Sequence, residues 1–310
     1  MTRTLRLTLA LVLLAATGCP PERPVPLPGE RGAMKPPPEE KAPPPPPVDP
    51  AGPKPLPDEK PVAPITSAQL AEIMEKAGKT GIIESLPHIK VFTKEKRIEL
   101  EGVTSLKVGP QLELMACGLH GKSYESLLIW LCEPEHLHLA LLFLGLEPAP
   151  QVAQFGQPGE LKANDASRVV IEVSWVDPTT KKTIRRRVED LLYDTYRDGA
   201  MKYAGFVFTG SRHIDVPQPP DWNTTKKVYA ATATGTLAVT YHDPDAILDT
   251  PLKEGGNNTT FVAWADRLPE RHTEIICHIR PWRDGDDVEP QENVKRAPDV
   301  ERPPGGGAPH

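Results

Sequence analysis

The distribution of proline constrains this chain more than any other feature. Half of its 38 prolines fall between Pro20 and Pro64, including the unbroken run Pro43 to Pro47, interleaved with Glu, Lys, Arg and Asp. Proline fixes φ and lacks a backbone donor, so this segment cannot form a core and reads as a semi-rigid extended tether. At about 3.1 Å per residue it reaches on the order of 100 Å. Proline-rich chain also serves as a ligand for aromatic grooves, but the spacer reading is favoured here. A second polar, Pro/Gly-rich stretch, Arg283 to His310, reads as a disordered tail. Folding is thereby confined to a single globular domain over residues 65–282, flanked by a tether (20–64) and a tail (283–310).

Residues 1–19 have the layout of an export signal: Arg3 and Arg6 precede a short apolar stretch, Leu7 to Ala16, that ends in small residues. That stretch is too short to span a bilayer. The sequence "AATGC" resembles a bacterial lipobox, which implies cleavage after Gly18 and acyl chains on Cys19. The expected location is the cell envelope, lipid-anchored and facing the periplasm or the cell exterior, with the membrane as a partner through the anchor.

The formal net charge of −6 argues against a nucleic-acid binder. The one dense basic run, "KKTIRRR" (Lys181 to Arg187), alternates faces in a strand and presents no continuous basic stripe. It reads mainly as a solvated face, with an anionic ligand as the lesser reading. Setting Cys19 aside leaves Cys117, Cys132 and Cys277, an odd number in an oxidising compartment. At most one intrachain disulfide can form; the pairing stays open, as does the reading of three buried free thiols.

Thr66 and Gln69 have capping-box spacing before a helix with Leu70, Ile73, Met74 and Ala77 on one face, closed by Gly78. A hairpin follows over "HIKVFTKEKRIELEG", then strands at Gln111 to Cys117 and Ser126 to Cys132, the latter an unbroken apolar run. Pro134 opens a second helix that stops at Gly145. Further strands are expected at "RVVIEVSWV", "AGFVFTGS" and "HTEIICHI", and "KVYAATA" and "TLAVTYH" read as a hairpin turning at Thr234-Gly235. Hairpins mixed with two or three helices, without regular βαβ alternation, predict an α+β fold with a mostly antiparallel sheet.

Three kinds of chemistry have candidate residues in the sequence. Ala116 followed by Gly121-Lys122-Ser123 satisfies a relaxed phosphate-loop pattern, but a strand rather than a helix follows it, so no nucleotide is expected. Cys117 and His120 have chelating spacing, with Glu125 nearby, and make a weak metal candidate; His136 and His138 sit two apart on a helix and point in different directions. Cys117 with His120, or Ser211 with His213, supplies a nucleophile and a base without any recognised catalytic signature. No cofactor is expected.

The segment "LELMACGLHGKSYESLLIWLCEPEHLHLALLFLGLEPAP", followed by "FVFTGS" and "VYAATATGTLAVTY", resembles the YdjY-domain family over roughly Ile89 to Pro281. The order is shared: an apolar strand ending in Cys, a Gly-bearing loop, Glu-Ser-Leu-Leu, a helix before Gly-Leu-Glu-Pro, and a strand ending Thr-Gly-Ser. The family pattern carries His before the Glu, where this chain has Tyr124. The resemblance implies no established activity. Some relatives occur with iron–sulfur ferredoxin modules, a hint of redox company, but this chain lacks the cysteine cluster for such a centre. The resemblance also places Gly121-Lys122-Ser123 in a family loop rather than a phosphate loop.

The leading functional expectation is an anchored, extracytoplasmic binding or interaction domain without chemistry of its own, with a protein or envelope-polymer partner. The rival is an enzyme or redox-linked factor whose site gathers around His120, Lys122, Tyr124, Glu125 and Ser211. The placement of Glu125 separates them: a cleft favours the enzyme, whereas pairing with a cation in a closed turn makes Glu125 structural.

Overall fold

A computed structural model describes residues 65–290, except Pro110 and Asp221. The signal, Cys19, the proline-rich tether and the tail beyond residue 290 lie outside the described residues. Helix α1 (Ser67–Thr80) opens the described chain. Its capping box is made: the Thr66 side chain accepts from the Gln69 amide, while the Gln69 side chain accepts from the Thr66 amide. The helix runs past Gly78 and stops at Gly81, whose φ of 77° takes the left-handed conformation that ends helices. Of the face expected to be apolar, Ile73 and Ala77 are buried, whereas Met74 is 58% exposed.

Strands β1 (Ile82–Leu86), β2 (Ile89–Phe92) and β3 (Arg97–Thr104) form an antiparallel meander. β4 (Leu114–Cys117) and β5 (Ser126–Trp130) are parallel neighbours, followed by α2 (Pro134–Phe143) with Pro134 in its first turn. β6 (Arg168–Val176) and β7 (Thr183–Arg187) make a hairpin. β8 (Leu192–Asp194), β9 (Gly199–Ala200) and β10 (Phe206–Phe208) come next, then a two-stranded ribbon of β11 (His213–Gln218) and β12 (Thr224–Tyr229). The short helix α3 (Ala230–Thr234) leads to β13 (Thr236–Val239), β14 (Leu248–Asp249), β15 (Phe261–Ala263) and β16 (Glu274–Pro281).

These strands do not make an α+β sheet. Eight of them close a ring in the order β3-β16-β6-β10-β14-β13-β4-β5, and β5 pairs back onto β3; β1, β2 and β7 extend the same sheet outside the ring. The fold is a β-barrel, and the expected α+β class is corrected. Strand patterns reveal that strands exist but not that the first and last of them meet. Closure is achieved on β3. One edge of β3 carries β16; the other carries β2 over its first half and β5 over its last three residues. Glu101 marks the handover, its N–H donating to His88 O (3.0 Å) while its carbonyl accepts from Leu131 N–H (3.1 Å). β6 divides its edge in the same way between β10 and β7.

The barrel interior is filled by alternate side chains: Ile98 and Leu100 from β3, Ile275, Cys277 and Ile279 from β16, and Ile171 and Val173 from β6, with Trp130, Phe206 and Phe208 among the largest fully buried groups. Each buried side chain of this size contributes about 1.5–3 kcal/mol. The intervening residues, Glu99, Glu172, Ser174 and His278, face outward. The apolar run at Ser126 to Trp130 is buried throughout, which is what a ring strand covered on both sides requires.

The expected hairpin at Thr234-Gly235 is absent. Residues 230–234 are α3, while β12 pairs with β11 and β13 with β4 and β14. The basic run is also more engaged than expected: Arg185 pairs with Glu172, and Arg187 pairs with the fully buried Glu189 and lies over the Tyr203 ring. Of the segment expected to be slack, residues 283–290 are described; within it Asp286 pairs with Arg280 and Glu289 with Arg197. Among the described residues no helix is long and apolar enough to cross a membrane.

Gly102 sits at the seam, facing Trp130 on β5, and a Cβ there would meet the Ile129 carbonyl oxygen at 2.6 Å. Gly102→Ala is therefore expected to lower unfolding free energy by about 1–3 kcal/mol, measured by urea titration. An unchanged midpoint would show that the seam is not closed as described.

Candidate functional site

The barrel places the β4–β5 connection, residues 118–125, against the turn that leads from α3 into β13. Gly118 N–H donates to Gly235 O (2.9 Å), and the two chains approach so closely at Gly121 that a Cβ on Gly235 would lie 2.4 Å from Gly121 Cα. This contact, not a phosphate, accounts for the glycine in Gly121-Lys122-Ser123. The connection then makes a single 3-10 turn over Ser123–Glu125, and Ser105 Oγ donates to Ser123 O (2.7 Å).

Within that turn Lys122 Nζ lies 2.7 Å from Glu125 Oε1 and 3.7 Å from Glu113 Oε2. The hydrogen bond to Glu125 raises the Lys122 pKa above its ordinary value, so the ammonium is held charged. Glu125 is thus paired with a cation in a closed turn. Beside this brace His120 is exposed and Tyr124 is 66% exposed. Cys117 is fully buried in the barrel wall. The three weak metal candidates, Cys117, His120 and Glu125, do not converge, and no group of three or more His, Cys, Asp or Glu side chains among the described residues is placed to hold a metal.

Ser211 belongs to the same end of the barrel but not to the turn. Its φ of 57° and its burial place the hydroxyl between two backbone partners: Oγ donates to Asp245 O (2.6 Å) and accepts from Ala231 N–H (3.1 Å) at the start of α3. His213 sits on β11, exposed, its ring against Tyr229 at 5.8 Å. The ring that approaches the Thr-Gly-Ser loop is His138, whose Nδ1 lies 3.1 Å from Gly210 O and 2.8 Å from Tyr229 Oη. Ser211 fastens this loop to α3.

Sequence reading took Tyr241 and His242 as the end of the strand "TLAVTYH" and assigned nothing to the residues that follow, Asp243 to Asp249. Here His242 and Asp249 form a fully buried pair, Nδ1 to Oδ1 at 3.0 Å, with His242 Nε2 3.1 Å from Gly159 O. Burial pulls the His242 pKa down, but the Asp249 carboxylate outweighs it and raises the net value. Asp245 pairs with Arg212 at 2.7 Å. Asp243, whose Oδ1 accepts from the Asp245 amide (2.7 Å), has its pKa pushed up to about 7 by burial, reinforced by the charges of Asp245 and Asp249 and partly offset by Lys122. The alternation of Asp around Pro244 was the available signal; its partners come from loops remote in sequence.

Cys117, Cys132 and Cys277 are all free and buried. Burial raises the Cys117 thiol to about 11 and Cys277 to about 12, and raises Cys132 as well. Trp130 Nε1–H donates to Cys277 Sγ (3.1 Å). These thiols are protonated core groups rather than nucleophiles. A shallow cavity of about 290 Å³, lined by Glu147, Pro148, Pro150, Lys162 and Asn164, includes none of the candidate residues.

The family model described as the YdjY domain matches residues 89–280, more than half of the chain. No curated protein and no solved structure matches it.

Two outcomes follow from the titrations. Because Asp243 holds its proton more tightly folded than unfolded, its contribution is neutral below about pH 4, turns unfavourable as pH rises toward 7, and is constant above. Asp243→Asn, which keeps the oxygen that caps Asp245, should stabilise the protein at pH 8 by about 1–2 kcal/mol after allowance for partial exposure and leave it unchanged at pH 4; equal effects at both pH values would contradict the assignment. Separately, mass mapping after iodoacetamide at pH 8 should find Cys117, Cys132 and Cys277 unmodified in the native protein and alkylated once it is unfolded. Rapid native alkylation of any of the three would show that its burial is wrong.

Proposed function

This chain belongs to the YdjY domain family, and from that premise we propose that its barrel is a binding or interaction module. It is exported, held at the cell envelope by a lipid on Cys19, and displayed at the end of the proline-rich tether. The observation that supports the binding reading is the braced β4–β5 turn. Lys122 locks Glu125 and Glu113, the Gly121–Gly235 contact fixes the backbone, and His120 and Tyr124 are left exposed on a rigid support. An exposed aromatic held on a pre-organised turn loses little entropy on binding, which suits recognition of a protein or an envelope polymer. The rival reading, an enzyme or redox-linked factor centred on His120 and Glu125, finds less support, because Glu125 is paired with Lys122 in a closed turn.

A photoreactive amino acid placed at position 124 in cells should yield a discrete crosslinked species, and the same residue at the exposed Val176 on β6 should not. Equal yields, or none at 124, would count against the turn as the recognition surface. The anchor is tested independently by mass spectrometry of the mature N-terminus: a lipid-modified Cys19 is expected, and an unmodified terminus further downstream would remove the anchor from the account.

A further inference from the structure

The outer wall of the barrel, away from the braced turn, carries an arrangement that sequence reading could not assemble. β16 runs between β3 and β6, and its register sets His278 opposite Glu99 on one side and Glu172 on the other. Ser174 is opposite Ile276 and therefore shares the outward face, one step diagonally from His278. Ser174 Oγ lies 2.8 Å from His278 Nε2, and His278 Nδ1 lies 3.8 Å from Glu99 Oε1. Glu99 Oε1 is also paired with Arg97 and lies beyond hydrogen-bond reach of Nδ1, so the carboxylate acts on the ring through its charge, which favours the tautomer protonated at Nδ1 and leaves the Nε2 lone pair facing the serine hydroxyl. The other acceptor near Ser174 Oγ is Ile276 O at 3.3 Å, a longer contact.

We propose that Ser174, His278 and Glu99 form an acyl-transfer site, with Ser174 as nucleophile, His278 as general base and Glu99 as the residue that positions the imidazole. The proposal goes beyond the binding reading and uses a different face of the barrel. Burial, together with the positive charges of Arg185 and Arg97, lowers the His278 pKa against the opposing pull of Glu99 and Glu172, so the ring is a neutral base at neutral pH. Arg185 stands directly opposite Ser174 on β7, with its guanidinium held at 2.7 Å by Glu172; it is the cation placed to meet negative charge that develops on a carbonyl oxygen. Ser174 is only 9% exposed. The substrate class is therefore a small, unhindered carboxylic ester rather than one that fills a deep pocket.

The reaction balances with the protein's own side chains and water. Ser174 Oγ bonds to the ester carbonyl carbon while its proton passes to His278 Nε2. Collapse of the adduct breaks the bond to the alkoxy oxygen, and the alcohol leaves with that proton. Water then delivers a proton to Nε2 and its oxygen to the acyl carbon; return of the proton to Oγ frees the carboxylic acid and regenerates the serine.

The test treats the full chain with a fluorophosphonate probe, maps the adduct by mass spectrometry, and follows p-nitrophenyl acetate hydrolysis. One adduct is expected, on Ser174. Ser174→Ala should abolish it, and His278→Ala should slow both labelling and hydrolysis about 10²-fold in protein shown by circular dichroism to be folded. Glu99→Gln should slow hydrolysis and shift the midpoint of its pH profile downward, because the carboxylate that raises the His278 pKa is gone; a merely structural Glu99 would leave that midpoint in place. No adduct on Ser174 in the unmodified sequence, or labelling indifferent to His278→Ala, would overturn the proposal, whatever the folding of the variants.

Discussion

A strand has two edges, and β3 uses one of them twice. By pairing with β2 over Arg97–Leu100 and with β5 over Gly102–Thr104, it turns an open meander into a closed ring. Closure removes the free edges that an eight-stranded sheet would otherwise expose, and it supplies an interior for the apolar half of every ring strand. Gly102 permits the handover because it has no Cβ to meet the Ile129 carbonyl. The β-barrel, its core and both surfaces argued to be functional depend on that one change of partner.

Closure also explains why the site residues are where they are. With β5 tied to β3, the chain must return from the end of β4 to the start of β5 within eight residues, and the glycines at 118 and 121 allow the tight path against Gly235. Lys122 then pairs with Glu125 and Glu113 across the base of the turn, which is why a segment that reads like a phosphate loop is a strut. On the opposite principle, the outward half of β3, β16 and β6 lies outside the packed interior and carries polar side chains, and there the register alone gathers Ser174, His278 and Glu99.

Local features were legible in the sequence. The capping box of α1, Pro134 at the start of α2, and strands at Ile89, Arg168 and Glu274 all follow from residues a few positions apart. The errors arose where local signals compete or are silent. Gly78 looks like a helix stop, but the left-handed residue is Gly81, three positions on. Residues 230–234 read as strand because Ala and Thr fit either state, yet packing makes them a helix whose first turn is fixed by Ser211 from another loop. Barrel closure and the α+β misreading share one cause: pairing between residues near 102 and near 130 leaves no mark on periodicity. The Ser174–His278 contact spans 104 positions and leaves none either.

The measurement that tests closure most directly is amide hydrogen exchange at Ser105 and Leu131, whose N–H groups donate to Leu127 O (2.9 Å) and Glu101 O (3.1 Å) across the seam. In a closed barrel both amides exchange only through global unfolding, as slowly as those of the central strand β16. If they exchange orders of magnitude faster while β16 stays protected, the seam opens locally, the sheet is not a ring, and the account built on it fails.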